Sequence, residues 1–248
     1  MLYLCLPAYN EGPTVGLVLW SIHKVFSSYS REYELLVVDD ASDDATAETL
    51  ETYARLLPLT VIRHQTRRGY AAALDTLARA AAGRTRYPRR DAAIFMQADF
   101  SDPPEALPDL VKRFEGGADL VVAEPDRQPE TGSAGIRWVR HLAPRLLRPM
   151  LRLQDVADPL GSYRLARITV LRDALRACGE GPLVHGSGWA ANVELTVRLA
   201  RFSRRIESVT VSPRYELRPR ATRVRPLSGA LELYRSGRAL QPRRETTI

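Results

Sequence analysis

Three short polar segments carry most of the residues that could do chemistry, and each follows an apolar run. Pro7-Ala8-Tyr9-Asn10-Glu11 follows Leu2–Leu6. Asp39-Asp40-Ala41-Ser42-Asp43-Asp44 closes the run Tyr33–Val38. Gln97-Ala98-Asp99-Phe100-Ser101-Asp102-Pro103-Pro104 follows Asp91–Met96. In the first, the Tyr9 ring can stack on a nucleobase and the Glu11 carboxylate can accept from a ribose hydroxyl. In the second, Asp39 and Asp40 can accept from a base N–H or a ribose, although Asp-Ser-Asp-Asp is also the composition of a helix cap. In the third, Asp99 at a strand end is suited to holding Mg²⁺ or Mn²⁺ against a diphosphate. Turn chemistry before Pro103-Pro104 is the competing explanation.

These segments need a frame. Apolar runs with strand character at Leu2–Leu6, Tyr33–Val38, Leu59–Arg63, Asp91–Met96 and Asp119–Ala123 alternate with helical patterns. The helical patterns cover Pro13–Phe26, Thr46–Leu57, Gly69–Ala82 and Glu105–Glu115. Such alternation predicts an α/β fold with a parallel sheet and right-handed crossovers. Ligands of open α/β sheets bind beyond the carboxyl ends of the strands, so three polar loops on one edge define one site. The second half is less regular. Ile136–Leu153 reads as a basic helix, Asp158–Arg164 as a turn, Ile168–Ala177 and Trp189–Phe202 as helices, Ile206–Val211 as a strand and Leu227–Leu240 as a final helix.

Composition narrows the function classes. The chain has 248 residues, 45% hydrophobic and 26% charged, which is ordinary globular usage. There is no P-loop, no Gly-x-Gly-x-x-Gly after the first strand and no Gly-x-Ser-x-Gly, which argues against a Walker NTPase, an ordinary dinucleotide enzyme and an α/β-hydrolase. Two cysteines make no disulfide framework, and the four histidines have no metal spacing. No run is long enough to span a bilayer, and no signal peptide is evident, so a cytoplasmic protein is expected. The net charge of +7 is concentrated late: from residue 201 onward there are 12 Arg and four Glu. Arg218, Arg220, Arg223 and Arg225 form a cluster that can clamp phosphate, face anionic lipid, or simply be solvated. Nucleic-acid binding is disfavoured, since no nucleic-acid motif accompanies the charge.

Taken in order, Pro-Ala-Tyr-Asn-Glu, Val37–Asp44, Arg68-Gly69-Tyr70-Ala71-Ala72-Ala73-Leu74 and Ala98–Glu105 resemble the family-2 glycosyltransferases of GT-A fold. The similarity is greater to the branch that uses polyprenyl or dolichol phosphate as acceptor. That branch continues with Asp-x-Thr-Ser-Gly-Phe-Arg, here Asp158–Arg164, then a Gly-aromatic…Glu helix, here Gly188-Trp189…Glu194. It ends in an Arg…Ser-Lys segment, matched loosely by Arg218–Arg223.

The resemblance implies a single Rossmann-like domain over residues 1–235, with a mostly parallel sheet flanked by helices. A nucleotide-binding half would cover about 1–125, an acceptor half about 126–235, and a basic tail 236–248. It implies that Pro7, Tyr9, Glu11, Asp39, Asp40 and Gln97 contact the nucleotide of a sugar donor. Asp99 would hold the divalent metal with Gln97. Arg140, Ser162, Arg164 and Glu194 would lie at the acceptor phosphate and the donor sugar, and Arg218, Arg220 and Arg223 would close over phosphate. The reaction would be an inverting displacement with Asp99, Asp102 and Arg164 at the reacting groups. An ionised phosphate acceptor requires no general base; a hydroxyl acceptor would require one, with Asp102 and Glu194 as candidates.

The chain departs from the pattern at informative positions. Gln97 replaces the first Asp of the usual Asp-x-Asp, so one negative charge is lost and a neutral carbonyl oxygen remains. Ser101 replaces the branch's Gln, and Glu124-Pro125 replaces a Ser-Arg, with Arg127 nearby. These changes leave three outcomes open: weaker Mg²⁺ or Mn²⁺ binding, metal-independent transfer with arginine substituting, or an inactive relative that only binds nucleotide. The function readings are transfer to a polyprenyl phosphate, transfer to a hydroxyl acceptor, or a non-catalytic nucleotide-sugar-binding relative. Partners would be a nucleotide-sugar donor, a lipid-phosphate acceptor and the inner membrane face. Contact with the membrane would run through the basic helix and an apolar face of Trp138, Leu142, Leu146, Met150 and Leu153; a core-packing helix is the alternative.

Overall fold

The computed structural model describes residues 1–126, 134–212 and 226–240. The apolar runs become strands β1 (Leu2–Ala8), β2 (Tyr33–Asp39), β3 (Leu59–Arg63), β4 (Ala92–Phe95), β5 (Leu120–Pro125), β6 (Arg164–Arg167) and β7 (Ile206–Val211). They form one sheet in the order β3-β2-β1-β4-β6-β5-β7, in which β6 runs antiparallel to both neighbours.

The helices are α1 (Gly12–Ser28), α2 (Thr46–Ala54), α3 (Tyr70–Arg84), α4 (Leu107–Glu115), α5 (Ala134–Leu151), α6 (Ile168–Cys178), α7 (Gly188–Ala200) and α8 (Pro226–Leu240). Alternation along the strands assigns them to two faces. Leu2, Leu4 and Leu6 pack with residues of α1, α2 and α4; Tyr3 and Cys5 pack with residues of α3, α5, α6, α7 and α8. The central strands are buried on both faces, which explains their unbroken apolar runs.

β6 differs from the turn expected over Asp158–Arg164 followed directly by a helix. It is only Arg-Leu-Ala-Arg, too short and too charged to announce itself. It is held by pairing on both sides, with Phe95 opposite Arg164 and Val122 opposite Arg164. The reversed strand brings its first residue to the edge where β4 and β5 end.

α5 packs on the core along one side and leaves part of its expected apolar face exposed. Leu147 and Leu151 are buried and Met150 packs on the core, as does Leu153 just beyond the helix. Trp138, Leu142 and Leu146, spaced four apart on one stripe, are 65%, 43% and 69% exposed. α8 packs beside α5 at Gly237, where a Cβ would collide with the Met150 methyl group. α8 runs on past residue 235 to Leu240. Among the described residues, no helix is long and apolar enough to cross a membrane.

Candidate active site

Parallel register brings Ala8, Asp39 and Arg63 side by side at the ends of β1, β2 and β3. The loops after β1, β2 and β4 each contain a non-glycine residue in the left-handed region: Asn10 at φ 54°, Ala41 at φ 58° and Phe100 at φ 64°. Such backbone costs about 1 kcal/mol or more per residue and gathers at functional sites. The loops are also sewn together. Asn10 Nδ2 donates to Asp43 Oδ1 at 2.6 Å, Asp43 N returns a bond to Asn10 Oδ1 at 3.1 Å, and Asn10 N donates to Ser42 Oγ at 3.0 Å. Asp44 accepts from Gly12 N and Thr46 N, the first residues of α1 and α2, although the N-cap position of α2 itself is Ala45. Burial works against its charged form, but the bonds from Thr46 and Gly12 hold its carboxyl below the ordinary range.

The adjacent aspartates Asp39 and Asp40 have different tasks. Asp40 is fully engaged by its own protein: Oδ1 accepts from Arg68 N at 2.8 Å and lies 2.7 Å from His64 Nδ1, and Oδ2 accepts from Gly69 N at 2.7 Å. Those bonds hold the turn that starts α3, where Gly69 takes φ +90°, a conformation that penalises any side chain. Asp39 is only 1% exposed. Its Oδ1 accepts from Ser42 N at 3.0 Å, while Oδ2 is buried without a hydrogen-bond partner among the described residues, 3.5 Å from Arg63 Nε. Beside it opens a cavity of about 530 Å³ lined by Ala41, Ser42, Arg63, His64 and Gln65. Pro7 is buried within β1, and Tyr9 just beyond it carries the Arg67 guanidinium 4.0 Å above its ring. Glu11 is buried at the start of α1, its main-chain N–H on Thr46 Oγ1 at 2.8 Å and its Oε2 accepting from Thr14 at 3.3 Å.

The loop after β4 is the second focus. Asp99 is 3% exposed and its Oδ1 accepts from Ser101 N at 3.1 Å and Ser101 Oγ at 2.5 Å. Asp102 lies beneath, its Oδ2 accepting from Gln97 N at 2.8 Å and Ser162 Oγ at 2.7 Å. Burial pushes the Asp102 carboxyl up to about 6 against the pull of those bonds. The Gln97 side chain donates through Nε2 to Tyr70 Oη at 2.8 Å.

Arg164 is wholly buried and bonded to the protein's own oxygens. Nε donates to Ser162 O at 3.2 Å, Nη1 to Asn192 O at 2.6 Å and Thr196 Oγ1 at 2.5 Å, and Nη2 to Gly161 O. Burial lowers its basicity to about 10, so it stays charged at neutral pH. It braces the segment bearing Ser162 against α7 and extends no donor outward in this arrangement. Arg140 on α5 pairs with Asp158 at 3.5 Å and stands 5.8 Å from the Trp189 ring. Glu194 faces the loop 183–188, accepting from His185 N at 2.7 Å, Gly186 N at 3.1 Å and Arg198 Nη2 at 2.8 Å. Burial opposes its ionisation, yet the bonds from His185, Arg198 and Gly186 keep its carboxyl below the ordinary range. No described hydrogen bond joins it to the Asp99 group. Arg127, Arg218, Arg220 and Arg223 lie outside the described residues.

The structure therefore brings together Gln97, Asp99, Asp102, Ser162 and Arg164 at one focus, and Pro7, Tyr9, Glu11, Asp39 and Asp40 at a neighbouring one. Sequence reasoning passed over Arg63, His64, Arg67 and Asn192. The Arg and His residues flank β3's end and the Arg68-Gly69 motif; Asn192 carries no sequence signal.

As ligands for a divalent cation the residues present are Asp99 and the carbonyl oxygen of Gln97. Among the described residues no group of three His, Cys, Asp or Glu side chains could hold a metal alone. One carboxylate and one amide oxygen fit Mg²⁺ or Mn²⁺ that arrives on a diphosphate, the remaining positions being filled by phosphate oxygens and water.

The fold is that of the GT-A glycosyltransferases. The chain belongs to glycosyl transferase family 2, whose profile matches residues 3–175. It is 30% identical over 217 residues to the undecaprenyl-phosphate mannosyltransferase of Micrococcus luteus, covering 84% of this chain and 81% of that protein. It is 24% identical over 211 residues to the dolichol-phosphate mannosyltransferase of Pyrococcus furiosus, covering 82% of this chain but 53% of that protein. In fold it is similar to glucosyl-3-phosphoglycerate synthase from Mycobacterium tuberculosis, solved with Mn²⁺ and UDP-glucose (TM-score 0.64, 24% identity, 97% of this chain and 77% of that one). Mannosyl-3-phosphoglycerate synthase from Rubrobacter xylanophilus is equally close in shape (TM-score 0.66, 21% identity, 100% and 78%).

Proposed function

We propose that this glycosyltransferase moves a hexose, with inversion, from a nucleoside-diphosphate sugar such as GDP-mannose or a UDP-sugar to a polyprenyl phosphate. The observation that carries the donor reading is Asp39. A buried carboxylate oxygen without a hydrogen-bond partner is costly. Its neighbour at 3.5 Å is Arg63 Nε, and Arg63 lines the adjoining cavity with Ala41 and His64; with that guanidinium turned aside, Oδ2 can accept from a base N–H or a ribose hydroxyl. The donor nucleotide is thereby assigned to Asp39, with Asp40 shaping the Arg68-Gly69 turn and Tyr9, under Arg67, forming the aromatic wall.

The diphosphate then extends toward Asp99. When bound there, Mg²⁺ or Mn²⁺ neutralises charge developing on the leaving diphosphate. Asp99 and Gln97 hold the cation's side of the group, Asp102 and Ser162 fix the loop, and Arg164 holds the Ser162 segment in place. A phosphate acceptor attacks as an ionised oxygen, so no side chain must take a proton. Glu194, saturated by His185, Gly186 and Arg198, supports this reading over transfer to a hydroxyl through that residue.

The lipid acceptor is supported by the relatives of Micrococcus and Pyrococcus, which are named for such acceptors. It is also supported by one surface. Trp138, Leu142 and Leu146 on α5 are exposed, as are Leu231 and Tyr234 on α8, which packs against α5, and α5 contains no acidic residue. Arg137, Arg145, Arg235 and Arg238 on the same two helices are exposed as well. Apolar side chains within a basic rim suit an anionic bilayer surface, from which a polyprenyl phosphate would be drawn.

The test is transfer of radiolabelled hexose from GDP- and UDP-sugars into an organic-extractable product with undecaprenyl phosphate in detergent. One donor is expected to label the lipid fraction, and Asp99→Ala to abolish the labelling. Label appearing only in a water-soluble phosphorylated acceptor would overturn the lipid reading, and none with any acceptor would favour a binding protein.

A further inference from the structure

Gln97 is where the chain departs most from the pattern it resembles, and the structure contains a device that determines which way its amide faces. The device is a directional chain of hydrogen bonds beginning at a group that can only accept. Leu160 O is a backbone carbonyl, so the Asn192 atom 3.0 Å from it is Nδ2. The other end of that amide, Oδ1, faces Tyr70 Oη at 2.9 Å and requires its proton. Tyr70 has a single phenolic proton, and the bond to Asn192 Oδ1 uses it. Its oxygen is left with lone pairs toward Gln97, and the side-chain atom that meets them at 2.8 Å is Nε2. The orientation of three side chains thus follows from one carbonyl.

We propose that Tyr70 and Asn192 are positioning residues that hold the Gln97 amide with its nitrogen buried and its carbonyl oxygen on the open side of the loop, as a neutral ligand toward the diphosphate-bound cation. The ligand part rests on the donor reading above; the orientation does not. Gln97 is half-buried, so turning its nitrogen inward leaves the oxygen as the atom available outside. The same chain explains why an amide stands here. A carboxylate at 97 would meet the lone pairs of a phenol whose proton is committed to Asn192, and an aspartate would also be one methylene short. Asn192 joins the halves of the site, because its main-chain oxygen receives Arg164 Nη1 while its side chain governs Gln97 through α3. Neither residue touches a reacting atom.

The experiment uses the ¹⁵N-labelled full chain without ligand, the Gln97 side-chain amide being identified by its loss in Gln97→Ala. One Nε2 proton is expected to exchange at least tenfold more slowly than the amides of the exposed Gln65 and Gln154. Protection should vanish in Tyr70→Phe and in Asn192→Leu, which frees the phenol to donate to Gln97. It should persist in Asn192→Asp, which still accepts from Tyr70. Mn²⁺ is then titrated in the presence of UDP or GDP. The Mn²⁺ midpoint should rise about tenfold in Tyr70→Phe and Asn192→Leu and stay near wild type in Asn192→Asp, with nucleotide affinity in EDTA unchanged. Equal protection in wild type and Tyr70→Phe would overturn the orientation. An unmoved Mn²⁺ midpoint, or an equal loss in EDTA, would overturn the ligand role. Absence of any Mn²⁺-dependent nucleotide binding by the wild type is the separate result that overturns the donor reading, and the ligand role with it.

Discussion

At the residue scale, neighbouring side chains of one type do unlike work because their surroundings differ. Asp99 and Asp102 illustrate it. Asp102 lies beneath the loop with two donors and little water, and its carboxyl is raised to about 6, chiefly by burial. The sign follows by linkage. The unfolded chain releases this proton near the ordinary 3.8, while the folded chain retains it until about 6. Folding stability should therefore fall as pH rises from about 4 to about 6, by about 2–3 kcal/mol from this group, and level off above that. Urea denaturation across that range, compared with Asp102→Asn, checks it: the variant should lack this component, and parallel curves would refute the assignment. Arg164 is the opposite case, a buried cation bonded to carbonyls and a hydroxyl. Arg164→Met strips the donors from Gly161 O, Ser162 O and Asn192 O and should cost about 3–5 kcal/mol in denaturant unfolding. A loss below about 1 kcal/mol would mean the guanidinium is dispensable to the fold.

At the element scale, the loops that bear the chemistry are held by bonds between elements distant in sequence. The segment 183–188 is fixed from one side by Glu194 and from the other by Glu232 of α8, which accepts from Ser187 N at 2.6 Å and Ser187 Oγ at 2.8 Å. Glu232→Ala should speed amide exchange at Ser187 at least tenfold while lowering global stability by only about 1 kcal/mol; exchange unchanged at Ser187 would show that Glu194 alone holds the turn. What could be read from sequence follows the same logic. The long central strands and the three polar loops were legible because burial on both faces gives unbroken apolar runs and the loops interrupt them. β6 was not, since four residues bounded by arginines become a strand only through pairing with β4 and β5. The roles of Asp39 and Asp40 could not be told apart from Asp-Asp alone, because His64 and the Arg68-Gly69 backbone choose between them from β3's far side. Asn192 was invisible for a similar reason: its partners, Tyr70 and Leu160, are far off along the chain.

At the scale of the whole molecule, a donor edge and a basic, partly apolar flank serve one reaction if the acceptor is a membrane lipid. α5 and α8 carry that flank. Replacing Trp138, Leu142 and Leu146 together by Ser should reduce partitioning onto vesicles containing phosphatidylglycerol by about tenfold or more, since each removes apolar area that a bilayer would bury. Because the three side chains are exposed, the fold should be unaffected. Sedimentation with vesicles at low and high salt reads both contributions, and equal binding by the variant would remove this flank from the account. In the proposed reaction a nucleoside-diphosphate sugar binds at the carboxyl edge of the sheet with Asp39 as its buried acceptor. Isothermal titration of wild type and Asp39→Ala with GDP-, UDP- and dTDP-hexoses, in Mn²⁺ and in EDTA, puts this binding to the test. One nucleotide should bind the wild type more tightly in Mn²⁺ than in EDTA, and Asp39→Ala should weaken that binding about 10- to 100-fold. Binding of no donor by the wild type, or equal affinity in the variant, would contradict it.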